Sequence, residues 1–210
     1  MQPKLRGLMA VALSLTLGSM LPVQQSTAGP SCATPEQAAQ VLEFYRNSPM
    51  AMPIIASRKL QLPEAVVVSG LPPEQVASAP GKDFAEIWGA MTSWKEATFL
   101  IMKGPNVFEV QSGIGKATHS KTSAYTNIEY VHPLRGHIRP DLFESIYAVS
   151  LPDKDGKAAR GILFYDADGA SVFGAFISGE AATPPASELA KFDEVMKLVR
   201  SKAQVCGSTS

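Results

Sequence analysis

Two of the chain's three histidines, His132 and His137, stand in the run Tyr130 to Arg139 (YVHPLRGHIR), and the third, His119, lies upstream. Imidazole both ligates metals and exchanges protons near neutral pH, so chemistry is sought here first. A divalent cation needs two or three converging ligands. His119, His132 and His137 supply them only if the segment carrying His119 folds over the run. Pro133 removes a ladder donor and Gly136 permits a sharp bend, which predicts a strand that breaks and re-enters. Strand alternation does not carry across such a break, so His132 and His137 need not share a face.

Other reactive patterns are scarce. The chain contains no GxSxG, HExxH, Walker loop or Rossmann glycine fingerprint. Gly113-Ile114-Gly115-Lys116 has a glycine-lysine flavour but lacks the spacing of a phosphate loop. Cys32 and Cys206 are in no CxxC, CxxCH or zinc-ligand spacing. They sit near the two ends of the chain that remains after its leader, and ends are often close together in compact domains. A bridge there contributes about 2–4 kcal/mol by restricting the unfolded chain; two independent thiols remain the alternative.

The elements that must position these groups follow from period and punctuation. Thr34-Pro35-Glu36-Gln37 reads as an N-cap, a first-turn proline and a capping-box glutamine, opening a helix to about Asn47. Met50 to Leu60 predicts a short helix with Pro53 in its first turn, and Leu62-Pro63-Glu64 starts another short turn. Asp83 is placed to cap a helix whose Phe84, Ile87, Trp88 and Met91 form a core-facing stripe. From Ala97 the period becomes strand-like. Thr98 to Lys103 and Val107 to Ser112 flank Gly104-Pro105-Asn106, a hairpin with a three-residue loop. That register sets Met102 opposite Phe108 and Leu100 opposite Val110, on one apolar face.

Gly113 to Ser123 reads as a loop or irregular edge containing His119, and strand character resumes near Tyr125. Further strands are expected at Leu142 to Leu151, Gly161 to Asp166 and Ala170 to Ile177. Asp153-Lys154-Asp155-Gly156 and Asp166-Ala167-Asp168-Gly169 supply the turns. The last strand is apolar on both faces, as when one face meets a helix and the other a ligand, a second sheet or another subunit. A helix from Pro184 to about Lys202 closes the chain. The order of helices, then at least six strands, then a helix predicts an α+β fold with a mostly antiparallel sheet.

Length and charge bound the function. A chain of 210 residues with 45% apolar content suits one domain. Its 19 basic and 19 acidic residues balance, which argues against nucleic acid as partner. Lys4 and Arg6 precede an uncharged run from Gly7 to Leu21, and Ser26-Thr27-Ala28 offers a small-x-small cleavage pattern. Residues 1–28 therefore read as a cleaved secretory signal, with 29–210 as a single domain exported to the periplasm.

From about Phe84 to Val199 the chain resembles the haem-utilisation carriers of the ChuX/HutX type. The resemblance rests on FAEIW from Phe84, VFEV from Val107, GHIR from Gly136, GILFYDADGASVFGAFI from Gly161, and Phe192 in the closing helix. It implies a haem-binding protein, commonly a homodimer, that holds b-type haem non-covalently on its sheet and exchanges it with a donor or acceptor protein. By position, His137 matches a histidine implicated in haem binding. Met102 stands where the family places another histidine, and Tyr125 lies near an aromatic that approaches the haem. Imidazole, thioether and phenolate are all competent axial ligands of haem iron, and Arg139 and Arg135 are suited to propionates. The expectation is a carrier without catalysis of its own, with a concave apolar face of the sheet taking the porphyrin and His137 contacting the iron. A haem-degrading or haem-reducing enzyme on this scaffold, or a relative that has lost haem, are the alternatives. The export signal departs from the cytoplasmic carriers of the family.

Overall fold

The structure is a computed structural model and describes residues 32–104, 106–152, 155, 157–177 and 184–206. The leader expected over residues 1–28 lies outside the described residues, as do Pro105 and most of the turn Asp153 to Gly156.

Three helices open the described residues: α1 (Pro35–Asn47), α2 (Pro53–Leu60) and α3 (Glu64–Ser69). The capping box forms as the sequence predicts, with the Gln37 amide donating to Thr34 Oγ1 and the Thr34 amide donating to Gln37 Oε1. The second helix starts at Pro53 rather than Met50, because Met50 takes the left-handed conformation (φ 61°). A strand that the sequence does not announce follows, β1 (Val76–Pro80), and Pro80 ends it. Its small residues give no strand signal, and long-range pairing alone creates it.

Asp83 does not cap the next helix with its side chain. Gly81–Asp83 instead makes one 3₁₀ turn that leads into α4 (Phe84–Met91), whose Phe84, Ile87, Trp88 and Met91 are all buried. The strands are β2 (Ala97–Lys103), β3 (Asn106–Ser112), β4 (Ala117–His119), β5 (Thr126–Ile128), β6 (Gly136–Ile138), β7 (Ser145–Pro152), β8 (Ala158–Tyr165) and β9 (Ser171–Ile177). Helix α5 (Ala186–Arg200) closes the fold. Strands β8 and β9 meet at the expected turn, where Gly169 (φ 71°) supplies the left-handed residue and Asp166 Oδ1 accepts from the Asp168 and Ala170 amides.

Six strands form one antiparallel sheet in the order β1-β7-β8-β9-β2-β3, and β4-β5-β6 form a separate small one. Alternation divides the large sheet between two cores. Ala97, Phe99, Ile162, Phe164, Phe173 and Ala175 pack with α4 and α5, while Leu100, Leu163, Tyr165 and Phe176 pack with the helices α1–α3. The architecture is thus α+β, as expected, with the large sheet held between helices on its two faces.

Two expectations fail on this point. The apolar second face of β9 meets α1–α3, not a ligand, because Phe176 lies in that core. The hairpin is also shorter by one residue: Lys103 pairs with Asn106, which sets Met102 opposite Val107 and Ile101 opposite Phe108. A one-residue slip exchanges faces. Met102 and Leu100 keep their common face, against the N-terminal helices, while Val110 is turned to the α4–α5 side. Phe108, on the outermost strand, stays 55% exposed.

The two ends of the described residues are joined. Cys32 and Cys206 form a disulfide with Cα atoms 5.7 Å apart, the bridge that the positions of the two cysteines allowed. The C-terminal tail is further held by Gln204 Oε1, which accepts from the Ser78 amide, and by Ser78 Oγ, which accepts from the Val205 amide.

Candidate functional site

The run that carries His132 and His137 becomes a turn between two paired strands rather than one broken strand. β5 and β6 are antiparallel neighbours, with Thr126 opposite Ile138, Asn127 opposite His137 and Ile128 opposite Gly136. Residues 129–135 connect them. The connection is anchored at its far end, where the Leu134 amide donates to Ser112 Oγ. The His132 ring covers Gly113, where any Cβ would meet the imidazole at 2.6 Å. That packing gives His132 a structural role away from His137.

Alternation across the small sheet sorts its side chains. Thr126 and Ile128 are buried, and Ile128, Ile138, Leu134 and Ala117 pack on the α4–α5 core. Trp88 Nε1 donates to the Gly115 carbonyl at 2.9 Å and ties this sheet to α4. The opposite face carries Tyr125, Asn127, His137 and Arg139 towards solvent. Three of the four residues selected from the sequence, His137, Tyr125 and Arg139, therefore meet on one surface. Met102 does not join them, since it lies on the far face of the large sheet, in the core with α1–α3.

The geometry of this surface is specific. His137 Nδ1 lies 2.6 Å from Asn127 Oδ1. The Tyr125 ring meets the imidazole edge-on, centroids 6.2 Å apart and planes at 72°. The Arg139 guanidinium lies 5.8 Å from the Tyr125 ring centroid, within cation–π range. Arg139 is itself gripped by Asp141 through Nε at 2.8 Å and Nη2 at 2.6 Å. This charge-assisted fork lowers the Asp141 carboxyl and raises the Arg139 guanidinium from their ordinary values. Arg139 thus keeps Nη1 for a further anion. Arg135, further along, stacks on exposed Tyr130 at 5.3 Å.

One imidazole on an exposed face is a single ligand. Among the described residues no group of three His, Cys, Asp or Glu side chains could hold a bare metal ion. The donor set instead fits a metal that arrives with its other ligands, as in haem: an imidazole for the axial position, an aromatic ring beside it and a guanidinium within reach for a carboxylate.

Behind the small sheet lies a second feature that no pattern of residues announces. A cavity of about 560 Å³ is lined by Phe84, Ala117, His119, Thr126, Pro140 and Asp141, among others. His119 Nδ1 approaches Thr126 Oγ1 at 3.4 Å. The signal in the sequence was only the histidine itself; the cavity requires the 3₁₀ turns Gly81–Asp83 and Pro140–Leu142 to meet across it.

Comparison with known proteins accords with this architecture. A family model described as "Haem utilisation ChuX/HutX" matches residues 77–195. No curated protein matches the chain. Among solved structures, a protein of Agrobacterium tumefaciens is 28% identical, with a TM-score of 0.67 over 79% of this chain and 92% of that one. The haem-binding protein ChuX is 19% identical, with a TM-score of 0.65 over 77% and 99%. The holo form of PhuS, a haem-binding protein from Pseudomonas aeruginosa, is 14% identical with a TM-score of 0.61, over 84% of this chain and 49% of PhuS.

Proposed function

The chain belongs to the ChuX/HutX haem-utilisation family, and from that premise we propose that it is a haem-binding carrier whose His137 contacts the iron. The observation that carries this reading is the arrangement of His137: Nδ1 is engaged by Asn127 and the ring is flanked by Tyr125, with both rings exposed. Tyr125 offers its ring to the porphyrin edge, and Arg139 offers Nη1 to a propionate. Haem is held non-covalently in this reading, since both cysteines are consumed in the disulfide and no thiol remains for a thioether. Met102, half-buried beside Leu100 against the N-terminal helices, has no part in the site.

The closed Cys32–Cys206 bridge supports an exported, periplasmic carrier, because such bridges persist in oxidising compartments. There it takes haem from one protein and passes it to another. In this reading it assembles as a homodimer.

Hemin titration of the purified protein tests the site. A Soret band should develop, and His137→Ala should weaken binding by at least tenfold and alter the spectrum. His119→Ala, in the cavity behind the small sheet, serves as the comparator. If His119→Ala abolishes the Soret band and His137→Ala leaves it intact, haem lies in the cavity and the assignment to His137 is wrong. Loss of the Soret band with iron release under a reductant and oxygen would instead mark a haem-degrading enzyme.

A further inference from the structure

We propose that Asn127 is the positioning residue that presents His137 to haem iron, by accepting a hydrogen bond from Nδ1–H and leaving the Nε2 lone pair facing outward. The inference rests on the carrier reading given above.

The argument begins with register. Asn127 and His137 stand directly opposite each other on β5 and β6, so their side chains leave the sheet on the same face. Their contact is 2.6 Å, from His137 Nδ1 to Asn127 Oδ1. An amide oxygen has only lone pairs to offer, so with Asn127 Oδ1 facing Nδ1 we assign the hydrogen to Nδ1. A neutral imidazole has one N–H, and with that proton on Nδ1 the ring keeps a bare lone pair at Nε2. Nε2 is then the one nitrogen able to bind iron. The reverse tautomer would point an N–H at the metal.

The surroundings make this hydrogen bond more than a stabilising contact. It lies on an exposed face, where the exchange with water leaves a small net gain in folding energy. The Tyr125 ring meets the same imidazole edge-on, so the histidine is restrained at one nitrogen and along one side while its other nitrogen stays open. An acceptor on the non-ligating nitrogen of a metal-binding histidine fixes its tautomer and raises its basicity. A neutral amide raises it less than a carboxylate does. That moderate effect suits a ligand that must later be released.

The test uses the full mature protein with hemin as probe. In the haem-free protein, long-range ¹H–¹⁵N NMR of the His137 ring should show the Nδ1–H tautomer, and Asn127→Ala should lose that preference. Asn127→Ala should weaken hemin binding about 10- to 100-fold, and Asn127→Asp, which keeps an acceptor, should restore it. Circular dichroism should show both variants folded. An Nε2–H tautomer in the native sequence, or hemin affinity unchanged in Asn127→Ala, overturns the inference. So does a failure of Asn127→Asp to restore binding. If the native sequence does not bind hemin, or binds it equally well without His137, the carrier reading itself falls, and the inference with it.

Discussion

The Tyr165 hydroxyl donates to Glu64 Oε1 at 3.1 Å inside the core formed by the large sheet and the N-terminal helices, with Glu64 only 4% exposed. Burial pushes the Glu64 carboxyl up to about 7, although the Tyr165 hydrogen bond and the nearby Arg58 charge act against the rise. Its other oxygen, Oε2, is buried without a hydrogen-bond partner. Glu64 opens α3 and packs beside Val67 and Val68, so its proton is linked to the seating of the helical layer on the sheet.

That link gives stability a direction with pH. A carboxyl whose folded pKa exceeds its unfolded value binds its proton more tightly when folded. Its contribution is therefore fully present below the ordinary carboxylate pKa of 4.5 and is lost as pH rises through about 7. Unfolding free energy should fall by roughly 3 kcal/mol across that window from this group. Glu64→Gln should flatten the profile. Urea unfolding at a series of pH values reads both, and equal slopes in the two proteins would show that Glu64 is not the responsible group.

The disulfide should be a major stabilising element, because it closes nearly the whole described chain, with a sequence separation of 174. Cys32→Ser or Cys206→Ser should cost about 2–5 kcal/mol. Thermal melting of the native sequence with added reductant should reproduce most of that loss. A melting temperature indifferent to both treatments would mean that the hydrogen bonds between Ser78 and the C-terminal tail hold the ends together unaided.

Met102 and His137 lie on opposite sides of the large sheet, which separates their roles. Met102→Leu conserves volume against Leu100 and the N-terminal helices, so it should cost less than about 1.5 kcal/mol. Hemin affinity and the Soret maximum should stay as they are. A displaced Soret maximum in Met102→Leu would put a thioether on the iron and contradict the placement of the site on the small sheet.

By itself the sequence determined the elements whose signals are local. The capping box of Thr34 and Gln37, the stripe from Phe84 to Met91, the Asp166–Gly169 turn and the closing helix all depend on contacts a few residues apart. Pattern therefore suffices to place them, and with them the α+β class and the family. The selection of His137, Tyr125 and Arg139 came from the resemblance, and alternation within Tyr125–Asn127 and His137–Arg139 is consistent with their sharing a face.

Only the tertiary structure decided the rest, because it depends on pairings between distant segments. β1 is a strand only because β7 pairs with it. The one-residue slip in the β2–β3 hairpin turned Val110 away from the face shared by Leu100 and Met102 and onto the α4–α5 core, a change of face that composition cannot register. The expected single sheet face for a porphyrin became a large sheet held between helices, with the histidine on a separate small sheet. Asn127 gave no sequence signal at all: a lone polar residue acquires its role when the chain turns back and sets His137 opposite it.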